Sequence, residues 1–249
     1  MQSGVSPHSN FPNVEPQSPL RTRPSFWIHG AGMSGSTWRK MVETLPLSQT
    51  PDLPGHGAAN PVSPPRVERF AEALTPEVPD GAILIGHSLG GMVALELAMR
   101  MKGRISALVL IETVPTVRDK VSGRMLALIS RSMVRWLPMH WLSWLAQLGH
   151  LPETREELRV QMAQHTNTSL AAAIEAAAHY DGRALLEQIE VPTLIVIGRQ
   201  SRSTHRGARL FAERIPQAEL IPIGGGHILH VDNPVQLHRV INNALRGRI

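Results

Sequence analysis

Ala82-Ile83-Leu84-Ile85-Gly86-His87-Ser88-Leu89-Gly90-Gly91-Met92-Val93-Ala94 is the stretch whose reading decides the fold. Four apolar residues in succession, without the alternation of a half-buried strand, describe a strand covered on both faces. The run stops at Gly86, and a helix is predicted from about Gly90 to Met101. Between strand and helix lies Gly-x-Ser-x-Gly. That spacing suits a turn sharp enough to hold Ser88 in a strained conformation with its Oγ clear of the backbone. The flanking glycines admit close backbone contacts, and the helix N-terminus adds positive potential. The five-residue pattern alone is weak; the strand before it and the helix after it make it specific.

Working outward, four further short runs read as buried strands. Phe26-Trp27-Ile28 ends at His29-Gly30-Ala31-Gly32, Ala107 to Ile111 ends at Glu112, Thr193 to Ile197 ends at Gly198, and Glu219 to Ile223 ends at Gly224. Helices are predicted over 65–74, 90–101, 204–215 and 234–245. Strand alternating with helix implies an α/β protein with an open, mostly parallel sheet flanked by helices, its sites at the carboxyl ends of the strands. Every glycine-rich turn above falls at such an end.

Two segments break the rhythm. Residues 1–24 carry Pro7, Pro12, Pro16, Pro19 and Pro24, which predicts an extended arm. Residues 115–187 hold no convincing strand and read as an inserted all-helical lid, with helices over 125–137, 139–148, 154–165 and 168–180. Thr154 and Glu157 have the spacing of a capping box at a helix start. Trp136, Trp141 and Trp144, with Met125, Met133 and Met139, concentrate here, which suits either an apolar substrate group or packing of the lid on itself. The predicted division is therefore an arm (1–24), a core (25–114 and 188–249) and the lid (115–187).

Composition sets outer bounds. With 249 residues, 42% hydrophobic and 18% charged, the chain can bury one large core. It has no cysteine, which removes disulfides, thiolate metal sites and a thiol nucleophile. The formal charge of +5 is scattered along the chain. Its densest group, Arg199, Arg202, Arg206, Arg209 and Arg214, is broken by Glu213 and reads as a solvated face, so no nucleic-acid partner is expected. The first residues lack the basic start and apolar run of a secretory signal, and no apolar run is long enough to span a membrane, so a cytoplasmic location is expected. Metal-ligand clusters, phosphate loops and dinucleotide fingerprints are absent from the sequence, and no cofactor or metal is expected.

Four motifs in order resemble those of the α/β-hydrolases that carry a lid: His29-Gly30-Ala31-Gly32, Asp52-Leu53-Pro54-Gly55-His56-Gly57, Gly86 to Gly91, and Gly224-Gly225-Gly226-His227. The resemblance covers about residues 25–249. It implies Ser88 as nucleophile, His227 as general base, and the backbone N–H groups of Ala31 and Leu89 as an oxyanion hole. A serine at 88 argues against the branches with an aspartate nucleophile. His56 and His87 resemble framework residues, His29 is expected to bond locally, and His205 to face water.

The chain departs from the family pattern at the third catalytic position. The turn after the strand 193–197 reads Gly198-Arg199-Gln200-Ser201, where the family commonly places aspartate, and Ser201 cannot supply a negative charge. Glu112, ending the neighbouring strand as in some members of the family, is the candidate acid; Asp119 and Asp232 are weaker ones. The expected activity is hydrolysis of a carboxylic ester or lactone with an apolar group through an acyl-enzyme. Two alternatives stay open: perhydrolase or carbon–carbon hydrolase chemistry on the same fold, and a ligand-binding module whose missing acid has disarmed the serine. The oligomeric state is not legible.

Overall fold

A computed structural model describes residues 17–118, 134–148 and 150–249. Strands β1 (Ser25–Ile28), β2 (Ser48–Gln49), β3 (Ala82–His87), β4 (Ile105–Ile111), β5 (Thr193–Gly198) and β6 (Ala218–Ile223) form one parallel sheet in the order β2-β1-β3-β4-β5-β6. The five expected strands are present. The two-residue β2 is an addition, too short to leave an apolar signal of its own. β6 is an edge strand, the position where Pro222, which has no N–H to donate, costs the sheet nothing.

The central strands bury both faces by strict alternation. Leu84, Leu108 and Leu110 enter one apolar layer, shared with α3 (Val67–Leu74), α4 (Leu89–Arg100) and α8 (His205–Arg214). Ile83, Ile85, Val109 and Ile111 enter the other, shared with Trp27, Trp38 and α10 (Pro234–Leu245). Both layers exclude water from β3 and β4, so their ends can hold groups in a fixed, weakly screening environment.

Before β1 the described end of the expected extended arm contains a helical turn. Residues 1–16 lie outside the described part, but Pro19–Thr22 make one helical turn, α1, with Pro19 at its start. Leu20 is fully buried, and its N–H donates to Asn242 Oδ1 of α10 at 3.2 Å. Proline at the first helical position lacks only a donor that would be unpaired there, so it starts this turn without penalty.

Between β4 and β5 stand α5 (Met139–Gln147), α6 (Pro152–Met162) and α7 (Asn167–His179), in keeping with the helices read from the sequence; most of the one expected over 125–137, with Asp119, Met125 and Met133, lies outside the described residues. The Thr154–Glu157 capping box is not formed. α6 starts two residues earlier at Pro152, and both side chains reach the core instead: Thr154 Oγ1 donates to Asp232, and Glu157 takes a bidentate pair from Arg39 at 2.9 and 2.6 Å. A capping box does occur one helix later, where Thr166 and Ser169 bond reciprocally at the start of α7. Trp136, Trp141 and Trp144 are 83%, 52% and 54% exposed; Trp141 and Trp144 meet edge to face at 6.0 Å, and none of the three is among the described residues lining the cavity around Ser88.

The central layer carries a direct test. Leu84→Ala should lower unfolding stability by about 2–5 kcal/mol, the usual cost of a core leucine truncation. Urea unfolding followed by circular dichroism measures it, and a loss below about 1 kcal/mol would contradict this packing.

Candidate active site

The turn after β3 is built as its sequence demands. Ser88 has φ 53° and ψ −117°, a conformation costly for a residue with a Cβ. It is held on both sides: Ser88 N donates to Ile111 O at 3.0 Å, and Ser88 O accepts from Thr113 Oγ1 at 2.7 Å and from Gly91 N at 3.0 Å. The glycines are required by contact. A Cβ on Gly86 would lie 2.3 Å from Gly90 O, and one on Gly90 would lie 2.3 Å from Ile28 O. Leu89 opens α4, so its N–H has no carbonyl one turn earlier to bond. Leu89 and Ala31 line the same cavity as Ser88.

Among the described residues only one other non-glycine has positive φ: Glu112, at 48°. It follows β4, and its N–H donates to Val196 O at 2.9 Å, keeping the end of β4 pinned to β5. Its side chain is fully buried. The carboxylate accepts from Gly198 N, from Ser201 Oγ at 2.5 Å, from Thr204 Oγ1 at 2.9 Å and from His227 Nδ1 at 3.0 Å. Ser201, at the position of the missing acid, is thus a donor to Glu112. Because a carboxylate only accepts, the proton of neutral His227 sits on Nδ1, leaving Nε2 as an acceptor. The His227 side chain is 34% exposed and lines the cavity with Ser88.

The loop that carries His227 is tied at each residue. Gly224 O accepts from Asn233 Nδ2 at 3.0 Å, Gly225 O from Gln200 N at 3.1 Å, and Gly226 N donates to Asp232 Oδ2 at 2.6 Å. His227 O is 2.8 Å from His87 Nε2 and accepts its proton. The bonds of Ser201 and Thr204, and the partner of the framework residue His87, were not legible beforehand, because each partner lies far away in sequence.

The other histidines serve the framework. His29 Nδ1 donates to Gly30 O at 2.8 Å, and its Nε2 accepts from Leu53 N at 2.9 Å, the expected local bonding. His205 is half-buried and bonds Gly198 O at 3.0 Å rather than facing water freely. Arg199, Arg202, Arg206 and Arg209 are exposed, in keeping with a solvated face, and Arg214 bonds Glu187 at 2.9 Å.

A cavity of about 420 Å³ joins these groups. Its polar part is Ser88, Glu112, Thr113, Ser203, Thr204 and His227. The apolar wall comes from Met92 and Val114, from Val117 shortly after Val114, and from Ala173, Ile174 and Ala177 of α7. Among the described residues, α7 and not the tryptophans gives the insertion's helical share of the apolar wall. Among the described residues no group of three or more His, Asp or Glu side chains could hold a metal ion, and no helix is long and apolar enough to cross a membrane.

Residues 26–240 match the model of the alpha/beta hydrolase family, and the chain belongs to that family. It is an enzyme of the α/β-hydrolase class, as its motifs implied. It is similar to the pimeloyl-[acyl-carrier protein] methyl ester esterase of Aromatoleum aromaticum, with 29% identity over 243 residues, 88% of this chain and 97% of the relative. The protein of the same name from Vibrio cholerae is 28% identical over 187 residues, 69% of this chain and 73% of that one. A solved hydrolase from Pseudomonas aeruginosa shares the fold, with a TM-score of 0.78 at 23% identity over 90% of each chain.

The buried histidines predict acid lability. Burial, aided by the neighbouring His56, lowers His29 to about 3; burial and His165 lower His56 to about 4; burial lowers His230 to about 3. These rings stay neutral in the fold but take up protons in the unfolded chain below its ordinary 6.5. The unfolded state then binds more protons. The stability they contribute is complete above that value and is lost downward toward pH 3–4, at up to roughly 1.4 kcal/mol per pH unit for each ring. Melting temperature should therefore fall steadily from pH 7 to pH 5; a flat profile would contradict the burial of these rings.

Proposed function

We propose that this enzyme hydrolyses a carboxylic ester or lactone with an apolar acyl group through an acyl-enzyme on Ser88. The observation that supports this most is the buried Glu112 carboxylate bonded to His227 Nδ1 at 3.0 Å, on the same cavity as Ser88. His227 Nε2 takes the Ser88 proton as Oγ attacks the carbonyl carbon. The negative oxygen of the tetrahedral intermediate is held by the N–H groups of Leu89 and Ala31. His227 then gives the proton to the leaving alkoxide, and the alcohol departs. Water attacks the acyl-enzyme with His227 again as base, freeing the acid and restoring Ser88. Glu112 holds the ring in the tautomer this requires and stabilises its protonated form.

The cavity speaks to the substrate class. Among the described residues its wall offers no lysine or arginine to a charged acyl group, and Ala173, Ile174 and Ala177 leave room for an unbranched chain. That suits the reaction in the relatives' name, cleavage of a methyl ester on an acyl chain held by a carrier protein. A methyl-capped linear acyl chain is accordingly the substrate class proposed here, with residues 115–187 serving as its lid. The ligand-binding alternative rested on the serine at 201; Glu112 in contact with His227 removes its motive.

Fluorophosphonate labelling followed by intact mass should modify wild type once and Ser88→Ala not at all. Glu112→Gln offers its amide nitrogen to His227 and should lower kcat on a linear methyl ester by about two to four decades. Turnover within a few-fold of wild type in Glu112→Gln would refute Glu112 as the acid, and an unlabelled wild type would refute the acyl-enzyme.

A further inference from the structure

The side of the His227 loop away from the cavity meets the helical insertion. Leu158 of α6 packs with Met33 and Ile228, the residue after His227, in a small buried apolar cluster. Beside it, Thr154 of α6 is fully buried, and its hydroxyl donates to Asp232 Oδ1. The other oxygen, Asp232 Oδ2, accepts from Gly226 N at 2.6 Å. Asp232 ends the short helix α9 (Leu229–Asp232), so one carboxylate spans two elements: the insertion through one oxygen, and the backbone just before His227 through the other. Among the described residues no other side chain bonds Gly226, and a Cβ there would lie 3.2 Å from the same Oδ2.

We infer that Asp232 is a positioning residue: its carboxylate ties α6 at Thr154 to Gly226, so that the seating of the insertion sets the placement of His227. The inference rests on the proposal that His227 is the general base. A carboxylate with a donor on each oxygen has little freedom. Releasing the Thr154 arm lets Asp232 turn toward water, and the Gly226 bond loosens with it. The ring of His227 is anchored at Glu112 and its carbonyl at His87, but the residue just before it would lose its hydrogen bond. Small displacements of a catalytic group cost far more rate than binding.

The test compares Thr154→Val, Thr154→Ser, Asp232→Ala and the Thr154→Val/Asp232→Ala double variant with wild type. It measures kcat and KM on p-nitrophenyl butyrate, and hydrogen exchange of the Gly226 amide by NMR. Thr154→Val should lower kcat about three- to tenfold with KM within about twofold, and Thr154→Ser, which keeps the hydroxyl, should restore it. Gly226 exchange should quicken in Thr154→Val and Asp232→Ala. In the double variant Thr154→Val should add no further loss, since the bond it removes is already gone. Unchanged kcat and unchanged Gly226 exchange in Thr154→Val, or losses that multiply in the double variant, would overturn the inference. Should Asp232→Ala fail to fold, Asp232→Asn takes its place: one oxygen remains to accept, and removal of Thr154's hydroxyl should then cost less than in wild type. Absence of esterase activity and of Ser88 labelling in wild type would instead defeat the functional proposal, and Gly226 exchange alone would then decide the tie.

Discussion

A fully buried carboxylate is tolerable only where donors replace its hydration, and Glu112 is the group around which this site is organised. Four donors converge on it, from β5, from the turn after β5, from the start of α8 and from the His227 loop. An uncompensated buried charge costs several kcal/mol, so each of these elements is constrained to stay where its donor reaches. The backbone accepts the requirement at Glu112 itself, whose positive φ turns the side chain across the end of β4 toward β5. The two strained non-glycine residues of the described chain, Ser88 and Glu112, stand on neighbouring strand ends. Thr113, adjacent to Glu112, also holds Ser88 O. Strain kept in two such places persists because the surrounding hydrogen bonds over-determine it.

The relation between sequence and structure follows from which interactions are local. The sheet was legible because a strand buried on both faces must be an unbroken apolar run, as 82–85 and 107–111 are. Glu112 was legible as a candidate because it ends such a run and because the turn 198–201 contains no acid. Its donors were not, since Ser201 and Thr204 are ordinary turn residues until β5 sets them beside β4. The capping-box reading of Thr154 failed for the same reason: a spacing that satisfies a helix end locally was outweighed by partners across the fold, Asp232 for Thr154 and Arg39 for Glu157. The tryptophans of the insertion could not be assigned from sequence, because composition tells how much apolar surface a segment has and not which way it faces.

The walls of the cavity divide its tasks between two kinds of element. The polar groups Ser88, Glu112 and His227 follow strands of the sheet, where backbone bonds fix them. Much of the apolar wall comes from α7, whose small side chains Ala173 and Ala177 define space by what they omit. A wall of this kind can be reshaped by a single larger side chain without touching the hydrogen bonds around Glu112. Reaction type and substrate fit therefore depend on separate parts of the chain.

The sheet order lets a carboxylate at 112 reach His227 as one at 201 would. β4 lies between β3, which presents Ser88, and β5, whose following turn carries Ser201. Pairing of Ile111 with Val196 sets Glu112 level with the last residues of β5. A carboxylate from either strand end can thus reach the Nδ1 side of His227. What differs is the anchoring. An acid in the turn after β5 would rely on that turn for its position. Glu112 is clamped between two central strands and uses the turn only for donors, which Gly198 N and the Ser201 hydroxyl provide. A serine at 201 is then the complement of a glutamate at 112, because a second carboxylate there would set two negative charges side by side in a buried space. The hydroxyl supplies a proton where the alternative would supply repulsion.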